Sequence, residues 1–240
     1  MTITYEPKKI TFFLGTILIF LFIANMAGII SKHYFGYSRM ILFDLDKEAN
    51  VPTLYSSVTI LFCAGLLALI AGARKKGGKR DYLYWAGLAV IFLFLSVDET
   101  AGLHERLIKP LRGALHTSGV LYYAWVIPYG ILVIIMMIIY LRFLFSIPVK
   151  HRYLIIFAGI LYITGALGGE LIGGYWTELY GPDNITYALI TTCEESLEMI
   201  GILIFTYALL SYITSELKDL FLHIGSFKTG AEILITEERK

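Results

Sequence analysis

Three stretches of this chain set acidic side chains inside otherwise apolar sequence. They are Asp98-Glu99-Thr100-Ala101-Gly102-Leu103-His104-Glu105, Gly168-Gly169-Glu170-Leu171-Ile172-Gly173-Gly174 and Thr191-Thr192-Cys193-Glu194-Glu195-Ser196-Leu197-Glu198. Carboxylate oxygens with one imidazole suit a hard or borderline ion: iron, manganese, zinc or calcium rather than copper(I). The candidate ligands are therefore Asp98, Glu99, His104, Glu105, Glu170, Glu194, Glu195 and Glu198, a carboxylate cluster with Arg106 as its adjacent cation. One guanidinium does not balance so many carboxylates, so a bound divalent metal, protonation or open water must. Di-iron bundles use Glu-x-x-His pairs on facing helices. That pair is absent here, as are His-x-x-x-His, Gly-x-Ser-x-Gly, a P-loop and a dinucleotide fingerprint. Cys193 abuts Glu194 but reads more simply as a small apolar residue.

The elements that must position these groups are transmembrane helices. Of 240 residues, 57% are hydrophobic and 16% charged, with a mean hydropathy of +0.70, whereas a soluble domain carries roughly a quarter charged residues. Six apolar runs are long enough to cross a bilayer core of about 30 Å: 10–31, 51–73, 82–103, 119–141, 153–175 and 184–213. Continuous runs argue for helices over alternating barrel strands. The expected architecture is all-α, a six-transmembrane-helix bundle over 1–213 with a cytoplasmic tail over 214–240. With the N-terminus inside, 14 of the 20 Lys and Arg fall on the cytoplasmic side, the 74–80 loop being the densest. The positive-inside rule then places both termini in the cytoplasm of a cell (plasma or inner) membrane. From Ser215 the tail has the pattern of a short interfacial helix or a solvated end. Net charge near zero excludes nucleic acid as a partner.

Depth ties the acids together. Counting from the cytoplasmic charged boundary, Asp98 is 17 residues beyond Asp81, Glu170 is 18 beyond Arg152, and Glu198 is 18 before Glu216. At 1.5 Å per residue these are all ~25–27 Å deep, toward the extracytoplasmic side. Thr191, Glu194, Glu195 and Glu198 share one helix stripe, while Asp98 and Glu105, seven apart, share another. Gly165, Gly169 and Gly173 form a small-xxx-small ridge that predicts close approach of a neighbouring helix. Tyr122, Tyr123 and Trp125 read as an interfacial aromatic belt, Pro128 as a kink, and Asn184-Ile185-Thr186 matches a glycosylation sequon. Asn50 and Pro52 predict a capped helix start that sets Glu48 beside the acidic layer.

Two of these segments, Glu48-Ala-Asn-Val-Pro-Thr-Leu-Tyr-Ser-Ser57 and Leu95-Ser-Val-Asp-Glu-Thr-Ala-Gly-Leu-His-Glu105, resemble the signatures of an uncharacterised family of bacterial multi-pass membrane proteins. That resemblance implies no activity. The residues point to a metal-dependent enzyme acting on a lipid-like or apolar substrate. The alternatives are a cation or proton translocator, a non-catalytic subunit working with other membrane subunits or a second copy of the chain, and a purely structural hydrogen-bonded network.

Overall fold

A computed structural model describes residues 6–36 and 41–217. The tail segment after Leu217, including most of the expected interfacial helix, lies outside the described residues. Among the described residues eight α-helices occur in order: α1 (Pro7–Phe35), α2 (Val51–Lys76), α3 (Tyr82–Ala101), α4 (Leu103–Leu115), α5 (Val126–Ser146), α6 (Val149–Ile163), α7 (Glu170–Tyr180) and α8 (Ile185–Glu216). A π turn, Thr164–Gly169, joins α6 to α7 so that Val149–Tyr180 runs as one span. No strand occurs among the described residues. Among the described residues six helices are long and apolar enough to cross a membrane, and this is a multi-pass membrane protein. Phe12, Ile138 and Tyr153 are each at least 65% exposed, an arrangement that suits lipid and not water.

Local chemistry explains the helix ends. The Asn50 side chain accepts the Thr53 amide at 3.1 Å and Pro52 sits in the first turn, as the sequence predicts. Arg74, Lys75 and Lys76 close α2 where the helix dipole favours cations. Asn184 caps α8 by accepting the Tyr187 amide at 2.9 Å, accepts the Trp176 indole at 2.9 Å and donates to the Gly181 carbonyl at 2.7 Å. That side-chain amide is committed to the fold. The fourth span starts at Val126, not at residue 119, because 119–121 form a 3₁₀ turn. Pro128 therefore lies in the first turn of α5, where its missing N–H costs nothing and no kink arises.

Helix α8 is the hub, packing on α1, α2, α6, the π turn and α7. At one end of the bundle Arg74 clasps Asp81, and His151 meets Ser211 and Ser215 at 3.4 Å each. At the other end Lys32 pairs with Asp183, and buried Asn25 donates to Thr192 at 2.8 Å while accepting the Leu45 amide at 3.1 Å. The half nearer Arg74 is a dry plug in which Cys63, Leu67, Ile70, Trp85, Leu209 and Ile213 are 2% exposed or less. The other half is hollow.

Candidate functional site

Two glycines and a π turn build the floor of the hollow half. A Cβ on Gly165 would lie 2.7 Å from the Glu194 carbonyl oxygen and 2.8 Å from Glu198 Cγ, and one on Gly169 would lie 2.6 Å from Glu194 Cβ. Only the absence of those carbons lets α8 bring Glu194 and Glu198 against this span. Gly173, the third residue of the predicted ridge, is in ordinary contact with Ile190 and Tyr187. Its neighbour Gly174 makes the closer approach, 3.1 Å from Tyr123 Cδ2. The π turn takes up an extra residue and shifts the phase of the helix beyond it. Glu170, first residue of α7, then accepts the Trp125 indole N–H at 3.2 Å.

The wall opposite depends on Gly102. Its φ of 55° ends α3, and α4 starts in a new direction. Asp98 and Glu105 consequently do not share a continuous helical face, which corrects the sequence reading. Asp98 instead reaches across the break. Its Oδ1 accepts the His104 backbone N–H at 3.0 Å and the Tyr129 hydroxyl at 3.2 Å, and its Oδ2 lies 3.2 Å from His104 Nδ1. Asp98 thus satisfies a first-turn amide of α4 while orienting the imidazole. The His104 ring packs on Trp125 with centroids 4.8 Å apart, leaving Nε2 without a hydrogen bond among the described residues.

Around these residues lies a cavity of about 470 Å³. All eight candidate residues, Asp98, Glu99, His104, Glu105, Glu170, Glu194, Glu195 and Glu198, line it, joined by Asp46, Lys47 and Glu48 from the segment before α2. A side recess of about 10 Å³, roughly one water-sized sphere, is lined by Glu99, Glu195 and Glu198 with Ser56, Thr59 and Tyr162. Among the described residues, no three His, Cys, Asp or Glu side chains stand close enough as placed to hold a metal ion. Cys193 is exposed, Arg106 does not line the cavity, and Ser57 turns to Ser96 and Thr100.

Charge outside the spans responds to this crowding. Burial, the nearby Glu105 carboxylate and, more weakly, Asp98 push the Glu48 carboxyl up to about 7 against the lowering effect of His104. Its Oε2 is buried with no hydrogen bond among the described residues. Burial opposes the charged form of His104, but the Asp98 hydrogen bond and the charges of Asp98, Glu170 and Glu105 outweigh it and raise its pKa.

Sequence reasoning missed the aromatic members of the site. Tyr123 and Trp125 are not merely belt residues. Tyr123 meets Thr177 at 3.0 Å and Tyr187 at 3.1 Å, and both Tyr123 and Trp125 line the cavity with Tyr129 and Tyr162. The available signal was the spacing of Trp125 and Tyr129, one helical turn apart on the face that meets the acids.

A profile described as a domain of unknown function, DUF8692, matches residues 11–213. The chain belongs to this family. The matched region takes in nearly the whole bundle, both signature segments and every cavity carboxylate, and the family description carries no activity. No curated protein and no solved structure matches the chain.

Proposed function

We propose that this family member is a membrane-embedded, metal-dependent enzyme acting on a lipid-like substrate. The observation that carries the reading is one cavity shared by all eight acidic and imidazole side chains. Among the described lining residues the cations are Lys47, bonded to Asp46 at 3.0 Å, and His104. Carboxylates gathered away from water need a cation or a proton. Glu99, Glu195 and Glu198 around the recess, with Glu170 from the main cavity, are the proposed ligands of one or two divalent ions, reached by rotation of their long side chains. His104 offers Nε2 as a nitrogen ligand or as a base. Asp98 has both oxygens engaged, so its part is to stand behind His104, the partner that a ligating or proton-accepting imidazole needs. Glu105 and Glu48 lie at the mouth. A metal with an open position would lower the pKa of a bound water and make it a nucleophile. Translocation is disfavoured because, among the described residues, the closely packed half around Cys63 and Thr206 offers no acidic relay.

Metal analysis combined with a pH series tests this. Purified protein after mild remetallation should carry about one or two ions of iron, manganese, zinc or calcium per chain, and Glu198→Ala should lose metal and thermal stability together. The pH slope separates metal from a proton network. Glu48 holds its proton to about 7 when folded but releases it near 4.5 when unfolded, so metal-free protein loses stability as pH rises between those values. His104 has the same sign: its contribution is complete below 6.5 and is lost as pH rises through the higher folded value. Metal competes with protons, so metal-loaded protein should instead gain stability over that range. Less than about a tenth of an ion per chain, with a falling slope under all conditions, sinks the reading.

The bias of basic residues supports an orientation in which the Arg74 end is cytoplasmic and the cavity opens toward the extracytoplasmic side. A Gly77→Cys variant should resist impermeant thiol reagents in intact cells and react after permeabilisation. Labelling from outside would reverse the topology.

A further inference from the structure

Glu194 is a cavity carboxylate for which no hydrogen-bond partner is seen among the described residues. It is 9% exposed. The cavity lining combines the carboxylates with an apolar set, Ile91 and Phe94 on α3 and Leu132, Val133, Met136 and Met137 on α5. Phe94, Leu132 and Met137 are at once cavity-lining and 46–63% exposed, so they form a rim where the cavity opens sideways toward lipid. Helices α3 and α5 meet at two levels that frame this opening. At one, Tyr129 bonds Asp98; at the other, Tyr140 donates to the Tyr84 carbonyl at 3.1 Å, its hydroxyl filling the space that a Cβ on Gly87 would need. Eleven residues separate Tyr129 from Tyr140, a height of ~16 Å along the helix.

We infer that the substrate is a long-chain amphiphile with a protonated amine head, which enters from the bilayer between α3 and α5 and sets its ammonium against Glu194. This rests on the proposed reading that the cavity serves a lipid-like substrate and adds the head-group class. A buried carboxylate lacking a partner gains most from a cationic donor, and the carboxylates around it repel a phosphate head. An alkyl chain leaving the head along Phe94, Leu132, Met136 and Met137 remains in an apolar environment from bilayer to site.

Binding to the full chain in non-ionic detergent, followed by Trp125 fluorescence and thermal shift, tests this with tetradecylamine, tetradecanol, tetradecyl phosphate and butylamine. Tetradecylamine should saturate at roughly 10-fold lower concentration or better than the other three, the ratio expected for one charge-assisted hydrogen bond. Glu194→Gln should remove that preference, and Met136→Trp should weaken tetradecylamine by obstructing the chain path. Equal binding of tetradecanol or tetradecyl phosphate, or an unchanged preference in Glu194→Gln, overturns the inference. Metal content measured on the same samples keeps the two proposals apart. Selective amine binding by metal-free protein upholds this inference while the metal reading falls; stoichiometric metal without amine preference does the reverse.

Discussion

Gly169→Leu should leave a protein that no longer melts cooperatively near the parent temperature. The first added carbon alone would sit 2.6 Å from Glu194 Cβ, 2.7 Å from Cγ and 2.9 Å from Cδ. Those atoms belong to the base of a side chain on the hub helix, so relief requires moving α8 itself. Overpacking by a single methylene costs ~1–3 kcal/mol, and leucine adds four carbons, against a total stability of ~5–15 kcal/mol. The expected loss is therefore most of the margin, read as a large fall in Tm and loss of a monodisperse peak on gel filtration in detergent. Gly159→Leu is the matched control, because nothing lies within 4 Å of its Cβ position on α6. Should Gly169→Leu melt within a few degrees of the parent while Gly159→Leu does the same, the close approach of the π turn to α8 is wrong.

The second large effect is expected from Asp98→Ala. That carboxylate is 6% exposed and serves the His104 amide, the His104 ring and the Tyr129 hydroxyl together. Its removal strands one backbone donor and two side-chain groups in a partly buried corner. At ~1–3 kcal/mol for each group left unsatisfied, the expected loss is ~3–5 kcal/mol, the range seen when one partner of a buried charged pair is deleted. The damage should be local before it is global, because α4 loses its start while α1, α2 and α8 keep their packing. Limited trypsin digestion should cut first at Arg106 or Arg112, and Asp98→Asn should retain part of the protection. Unchanged digestion of Asp98→Ala would mean that α4 is held by the Arg112–Tyr122 contact, 3.7 Å from guanidinium to ring centroid, and not by Asp98.

Much of this architecture is legible in the residues because it depends on quantities that add along the chain. Transfer free energies sum over consecutive side chains, so six runs declare six spans whatever packs beside them. Asn50 with Pro52 declares a helix start because the cap bond closes within three residues. Gly165 and Gly169 declare a close approach because no other residue type permits one, although not which helix approaches. The level at which Asp98, Glu170 and Glu198 lie comes from a fixed rise per residue, and all three line one cavity.

Tertiary structure alone decided what these groups touch. Gly102 in a left-handed conformation and the π turn at 164–169 each break the helical phase, and a broken phase invalidates any face drawn through it. Asp98 therefore meets His104 across a corner instead of sharing a stripe with Glu105. Trp125, Tyr123 and Tyr129 carry the composition of an interface belt, and only the path of the turn before α5, for Tyr123 and Trp125, and the rotation of α5, for Tyr129, turn them inward to Thr177, Glu170 and Asp98. The sideways opening is likewise invisible in sequence. Leu132 and Met137 look like lipid-facing residues, and what makes them a portal is that α5 touches α3 at its two ends and stands away between them. Hydrophobic pattern is a property of one helix, whereas a cavity is a property of the gaps between several, and those gaps depend on relative orientations that no local sum contains.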